Sequence, residues 1–419
     1  MKVRDHQGRG GASRPGWLAR SGPELLAAAS DNDPTNVGTA AVVGAQTGFQ
    51  LAWVALLIAP LLGVVQAIAA QVGAVGRNDL QSLASKRYGR RVAVVLLVTV
   101  VVVNAVTIAA DLQAGAAGVG VLTGVDPRWV VAPMGLCLFG LLLVGRYDEV
   151  VAVLRYLMIG FLAFAAAAIM ARPHWPSVLR ASVVPSLSVH RDVLAGALAI
   201  VGTTLTSYVY VWETIERGVE EPVDLHAGAG GLSQARSGAV AGALFTAFVF
   251  WSMLVACGAT LGPGHRTVSS AQDAARALRP LAGAASADLF AAGLVVATVV
   301  ALPVLMATTA YVVGAEFDWR RGLSQPVGHA RGFYGVILAS IALAVVVALA
   351  RVSVVAMLVA ASVVGGLGTP FGLGTMVGLA RDPDIMGDRP ISRRLAVAGW
   401  AVTAAIGALA LVYLVAAIF

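Results

Sequence analysis

Charge is scarce in this chain. Of its 419 residues, 12% are charged and 58% are hydrophobic, and the mean hydropathy is +0.82. No soluble domain of this size needs so much apolar surface, so the class that fits is a polytopic helical membrane protein. Cysteine is nearly absent. Cys137 and Cys257 both fall in apolar stretches and read as buried thiols, which excludes a disulfide framework or a cysteine-based metal site. Lysine occurs only as Lys2 and Lys86, and arginine supplies the other basic residues, a bias that suits a GC-rich bacterial genome. Aromatics make up 7%, while Ala, Val and Gly dominate, and small residues let membrane helices approach closely. All six histidines (His6, His174, His190, His226, His265 and His329) fall in expected loops or tails, so no imidazole is offered inside a span. The net charge of +7 would suit nucleic acid in a soluble chain. In this class it reports topology instead, and no nucleic-acid partner is expected. The basic, Gly-rich residues 1–20 lack an apolar core followed by a small-residue cleavage site, so they read as a cytoplasmic tail and not as a removable signal.

Apolar stretches fall at about 22–48, 51–75, 93–122, 128–146, 150–171, 192–214, 237–261, 287–314, 332–350, 353–380 and 394–418. Each is long enough to cross a bilayer, which predicts about eleven helices. With the N-terminus cytoplasmic, 21 of the 29 Lys and Arg residues lie inside. The other eight, Arg128, Arg172, Arg180, Arg191, Arg266, Arg276, Arg279 and Arg351, lie outside. That bias favours this orientation in a plasma membrane, with the C-terminus outside. The pair of helices meeting around 145–150 is the joint on which the later topology turns.

Two of these stretches are interrupted by polar residues. The first carries Asp31-Asn32-Asp33-Pro34-Thr35-Asn36 in mid-span. Acids there are expensive and by default mark a substrate or ion site. Pro34 has no N–H, clashes with the preceding turn and pushes Asp33 out of the helical region, so a broken helix is expected. The sixth stretch carries Thr203-Thr204-Leu205-Thr206-Ser207-Tyr208 after Gly202. Interrupted helices at matching positions of two five-helix halves are the sequence mark of a transporter site at a repeat interface. This predicts a first repeat over 21–171, a second over 191–380 and an additional helix over 393–419. Carboxylates, an amide, hydroxyls and freed backbone oxygens suit a hard cation such as Mg²⁺, Mn²⁺ or Ca²⁺. The plainer alternative is a Pro-kinked polar patch that only packs helices. It carries more weight at the second break, because Ser and Thr in membrane helices usually do just that.

Other polar residues need less. Asp111, deep in the third stretch, can pair structurally or hold and relay charge near the site. Glu213 and Arg217, four apart, read as a solvated helix end together with Glu216, Glu220 and Glu221. Pro303 and Pro370 are expected to kink their helices. Asp288 and Tyr311 lie on a span that can face the site.

At these residues the chain resembles the NRAMP family of divalent-metal transporters, from about Gly22 to Gly387. The family's first-helix motif, Asp-Pro-Gly-Asn, reads here Asp33-Pro34-Thr35-Asn36. Its sixth-helix motif, Ile-Val-Gly-Ala-Thr-Val-Met-Pro-His, reads Ile200-Val201-Gly202-Thr203-Thr204-Leu205-Thr206-Ser207-Tyr208. By that resemblance Asp33 and Asn36 bind the metal, and Thr203 stands where a carbonyl does. Thr206 replaces a Met thioether, and Tyr208 replaces a His tied to proton movement. A third-helix Asp-Leu-Ala-Glu becomes Asp111-Leu112-Gln113-Ala114, and Ser362 stands for a tenth-helix Gln. The lost Met resembles the NRAMP-related magnesium transporters. The physics agrees, since a hydroxyl in place of a thioether removes the soft term that favours transition metals.

The resemblance implies an all-α LeuT-like fold, a 5+5 inverted repeat with helices 1 and 6 broken. The expected function is uptake of a divalent cation, foremost Mg²⁺ with Mn²⁺ accepted, by alternating access with weak or no proton coupling. Asp33, Asn36, Thr203, Thr206 and Asp31 form the expected metal set. Asp111, Tyr208, Thr204 and Ser362 form a surrounding or coupling set. No cofactor beyond the transported cation is expected, and the bilayer is the other partner; oligomeric state is not legible. A potential of 100 mV gives a dication roughly 4.6 kcal/mol, over a thousandfold in concentration, without protons. The rivals are a proton-coupled Mn²⁺ or Fe²⁺ transporter using Asp33 and Asp111, an organic-solute transporter driven by Na⁺, and a membrane cation sensor that does not transport. An enzyme is not expected, since no nucleophile–base pair or closed zinc site appears in the spans.

Overall fold

The structure is a computed structural model that describes residues 31–144, 157–186, 191–220, 222, 229–262, 284–350 and 354–418. Every regular element among the described residues is helical. α1 (Pro34–Thr47), α2 (Ala52–Gly76), α3 (Leu80–Tyr88), α4 (Arg90–Thr123) and α5 (Pro127–Val144) come first. A 3₁₀ turn at Met158–Phe161 leads into α6 (Leu162–Met170), and α7 (Trp175–Val183) follows. α8 (Arg191–Thr204) and α9 (Ser207–Ile215) are the halves of one broken helix, and α9 runs on as a π-helical turn over Glu216–Glu220. α10 (Ala229–Leu261), α11 (Ala284–Glu316), α12 (Arg331–Leu349), α13 (Val354–Leu379), α14 (Pro383–Met386) and α15 (Arg393–Ile418) complete the chain.

Among the described residues seven stretches are long and apolar enough to cross a bilayer, the α8–α9 pair counted as one. With α1, α5, α6 and α13 they account for all eleven expected stretches. The joint at 145–150 and the part of the first stretch before Asp31 lie outside the described residues. α11 and α13 run continuously through Pro303 and Pro370.

The two halves interlock. α10 lies along α2 and α1, α9 lies along α2, and α8 touches both α1 and α13. α4 is flanked by α11, α12 and α13. Small residues make the approaches close: a Cβ on Gly73 would stand 2.6 Å from the Thr214 carbonyl oxygen, so α2 and α9 can meet there only at a glycine.

Three short helices, α3, α7 and α14, were not among the expected elements, and α3 is the most tightly held. Asp79 caps it, accepting the Ser82 N–H at 2.8 Å, and Arg321 pairs with Asp79 at 2.9 Å. The Asp-x-x-Ser spacing is the signal that finds it. Its neighbourhood is stitched by further ion pairs: Arg87 with Asp382, and Arg90 with Glu316 at 3.2 Å. The hydrogen bond from the Arg87 guanidinium first, then the Asp384 N–H and the Arg87 charge, hold the Asp382 carboxyl below its ordinary range against the opposing effect of burial.

Two expectations are corrected. Cys257 is buried but Cys137 is exposed on α5. Lipid tails are as apolar as a protein core, so an apolar context does not tell a buried residue from a lipid-facing one. Glu213 and Arg217 are not a solvated end either. They pair at 3.3 Å with side chains only 1% and 7% exposed, because this end of α9 packs on α2 and the turn after it.

Candidate functional site

Both breaks occur where the residues dictate. At the first, Asp31, Asn32 and Asp33 are non-helical and α1 begins at Pro34, whose missing N–H costs nothing at a helix start. Asp33 is the N-cap: its Oδ1 accepts the Asn36 N–H at 2.8 Å. The Asn36 side chain turns back, its Nδ2 donating to the Asp31 carbonyl, which closes 31–36 into a compact turn. At the second break α8 ends at Thr204, Leu205 and Thr206 are non-helical, and α9 restarts at Ser207 with Thr206 as N-cap. The Val201 carbonyl still receives the Leu205 N–H at 3.1 Å. The carbonyls of Gly202, Thr203 and Thr204 have no intrahelical successor. That of Leu205 receives the Thr369 hydroxyl from α13 at 2.9 Å.

The breaks face each other. The Tyr208 hydroxyl, on α9, donates to Asp33 Oδ2 at 3.1 Å. Asp31, Asp33 and Asp111 all lie close enough to that hydroxyl to interact with it electrostatically. Asp111 comes from α4, and its Oδ1 accepts both the Thr35 N–H at 3.0 Å and the Thr35 hydroxyl at 2.8 Å. Ser362 enters through its backbone. A Cβ on Gly202 would lie 3.0 Å from the Ser362 carbonyl oxygen, so α13 rests directly on the second break.

Every expected site residue is therefore at or beside the breaks, and all are buried: Asp31, Asp33, Asn36, Asp111, Thr203, Thr204 and Tyr208 are 0% exposed. Their polar atoms divide sharply. Both Asp31 carboxylate oxygens, Asn36 Oδ1, Asp111 Oδ2 and the hydroxyls of Thr203, Thr206 and Ser207 have no hydrogen-bond partner among the described residues. Thr204 is different, because its hydroxyl donates to the Ile200 carbonyl of its own helix at 2.8 Å. Among the described residues no three His, Cys, Asp or Glu side chains are grouped so as to hold a metal by themselves, so the oxygens here are of mixed type. Tyr311 lies elsewhere, its hydroxyl accepting the Leu323 N–H at 3.2 Å and its ring against Phe333. Thr35 was the residue sequence reasoning passed over. Its position in the first motif was visible, but its partner 76 positions away was not.

Residues 24–416 match the family described as Natural resistance-associated macrophage protein-like, Nramp. The chain belongs to the Nramp family. Among its relatives, a divalent metal cation transporter MntH of Acidiphilium cryptum is 26% identical over 286 residues, 67% of this chain and 66% of that protein. An MntH of Aeromonas hydrophila is 26% identical over 289 residues, 66% of this chain and 69% of that protein. These alignments span about two thirds of the relatives' length. In fold, the crystal structure of a mutant Eremococcus coleocola manganese transporter superposes with a TM-score of 0.76 at 19% identity, covering 96% of this chain and 89% of that one. Mhp1, a nucleobase-cation-symport-1 transporter, superposes with a TM-score of 0.56 at 14% identity, covering 93% and 92%. The architecture of this Nramp chain is accordingly the LeuT-like one of a polytopic membrane protein.

Proposed function

We propose that this Nramp chain carries a divalent metal cation across the membrane by alternating access, with Mg²⁺ the foremost cargo and Mn²⁺ accepted. The observation that carries the reading is the set of buried oxygens at two facing helix breaks that have no partner among the described residues. A buried carboxylate such as Asp31, with neither oxygen bonded among the described residues, is costly unless a positive charge offsets it. Asp33 Oδ2, Asn36 Oδ1, the Thr203 and Thr206 oxygens and freed carbonyls would take the cation directly or through water, and Asp31 would add negative field. All are oxygen donors. Thr206, in the place of a thioether, leaves no soft ligand, which favours a hard, partly hydrated ion. The named transport activity of the MntH relatives supports the metal reading. In this orientation the N-terminus is cytoplasmic and the membrane potential pulls the cation inward.

The deciding experiment is uptake into proteoliposomes of Mg²⁺, Mn²⁺ and Ca²⁺ in turn, with a pH-sensitive dye inside. The reading expects saturable Mg²⁺ and Mn²⁺ flux driven by potential, little acidification and loss of flux in Asp33→Ala. Full Mg²⁺ and Mn²⁺ transport by Asp33→Ala would sink it. Acidification in step with Mn²⁺ entry, with no Mg²⁺ flux, would replace it by the proton-coupled alternative.

A further inference from the structure

Asp111 belongs to α4, not to either broken helix, yet it holds the first turn of α1. One of its oxygens accepts two donations from a single residue, the Thr35 N–H at 3.0 Å and the Thr35 hydroxyl at 2.8 Å. Both partners are buried, Thr35 at 2% and Asp111 at 0% exposure. Asp111 is itself anchored from behind. Its backbone carbonyl accepts the Thr298 hydroxyl of α11 at 3.3 Å, and α4 meets α11 closely at Gly115, where a Cβ would touch Thr298. Asp33 stands two residues before Thr35 and commits Oδ1 to capping the same turn, so the direction of Oδ2 follows from where that turn is held. A Gly at position 35 would keep the N–H donation and lose the hydroxyl.

We infer that Thr35 and Asp111 form a clamp that fixes the first turn of α1, and with it Asp33 Oδ2, the oxygen not used in capping, in the orientation that receives the cation. Asp111 and Thr35 are positioning residues, acting through Asp33 and not by carrying the ion. The inference rests on the transport reading above and adds to it the pair that sets cation affinity. A charge-assisted hydrogen bond is among the stronger ones, and its loss moves affinity by about tenfold.

The test is Mn²⁺ uptake into proteoliposomes together with calorimetric Mn²⁺ binding to the full chain. Thr35→Val keeps the shape and the N–H but removes the hydroxyl. It is expected to raise KM and Kd about tenfold with maximal flux within about twofold. Thr35→Ser restores the hydroxyl and should restore KM. Asp111→Asn should raise KM too, and in the double variant with Thr35→Val the two effects should fall well short of additive. Unchanged KM in Thr35→Val, failure of Ser to rescue, or full additivity each overturns the clamp. Should Thr35→Val not fold, Thr35→Gly, the residue of the family motif, carries the same measurement. Asp33→Ala separates the two claims: retained Mn²⁺ binding there removes the transport reading, whereas loss there with an unchanged Thr35→Val removes only the clamp.

Discussion

The two breaks occupy matching places in the fold and use their polar atoms in opposite ways. At the first, much of the polarity holds backbone. Asp33 caps α1, Asn36 closes the turn onto the Asp31 carbonyl, and Asp111 grips Thr35. At the second, the equivalent cap residue, Thr206, makes no capping hydrogen bond, and its hydroxyl, like those of Thr203 and Ser207, has no described partner. Helix N-termini carry partial positive charge, which repels a cation. Two begin at this pocket, α1 and α9. Carboxylates cover that of α1, while the carbonyl end of α8, with its partial negative charge, lies beside that of α9. A rigid, acid-capped side thus faces a side of loose oxygens, which suits an ion that keeps part of its water.

The strongest way to break this contrast is to remove one acid. Asp33→Ala deletes a cap and a proposed ligand together, so cation uptake should fall at least about a hundredfold, more than for a group one layer out. Thr206→Ala at the matching position should cost only several-fold in KM, since one hydroxyl among several is lost; equal losses at the two sites, read by flux, would erase the asymmetry. Thr206→Met sharpens the comparison by adding a soft ligand to the loose side. It should raise Mn²⁺ and Cd²⁺ affinity over Mg²⁺ by about tenfold in calorimetric titrations. Thr369→Val removes the hydroxyl on the Leu205 carbonyl and should lower stability by about 1 kcal/mol in thermal melts, with cation KM nearly unchanged.

The smallest effect is a control away from both breaks. Asp382 is held below its ordinary carboxylate range by Arg87, so its contribution to stability is present above that range and is lost as pH falls through the depressed folded value. Asp382→Asn should therefore melt slightly earlier than the parent at pH 7, and the gap should narrow as pH falls below the ordinary carboxylate range and close once the depressed folded value is passed. Cation affinity should stay the same in both.

Much of this was legible in the chain. Pro34 and the flanking acids announced the first break, and the run of Thr and Ser after Gly202 announced the second, because backbone in lipid must be satisfied unless it lines a cavity. The eleven stretches followed from hydropathy. What was not legible depended on packing. Asp111 sat in view as a deep acid, but Thr35 as its partner required α4 to lie against α1. Glu213 and Arg217 had the spacing of an exposed pair and became a buried one only because α9 packs against α2. Cys137 faces outward for a reason no hydropathy scan resolves, since lipid and core are equally apolar.

The small helix α3 has a consequence of its own. Its first N–H, on Leu80, is held by the Thr214 hydroxyl at 3.0 Å, and its cap Asp79 is gripped by Arg321 from the segment that follows α11. A swing of α9 away from the pocket cannot then be a solitary act. It would have to carry the short helix along or break the Thr214 hydrogen bond, and through Asp79 and Arg321 it would pull on the connection ahead of α12.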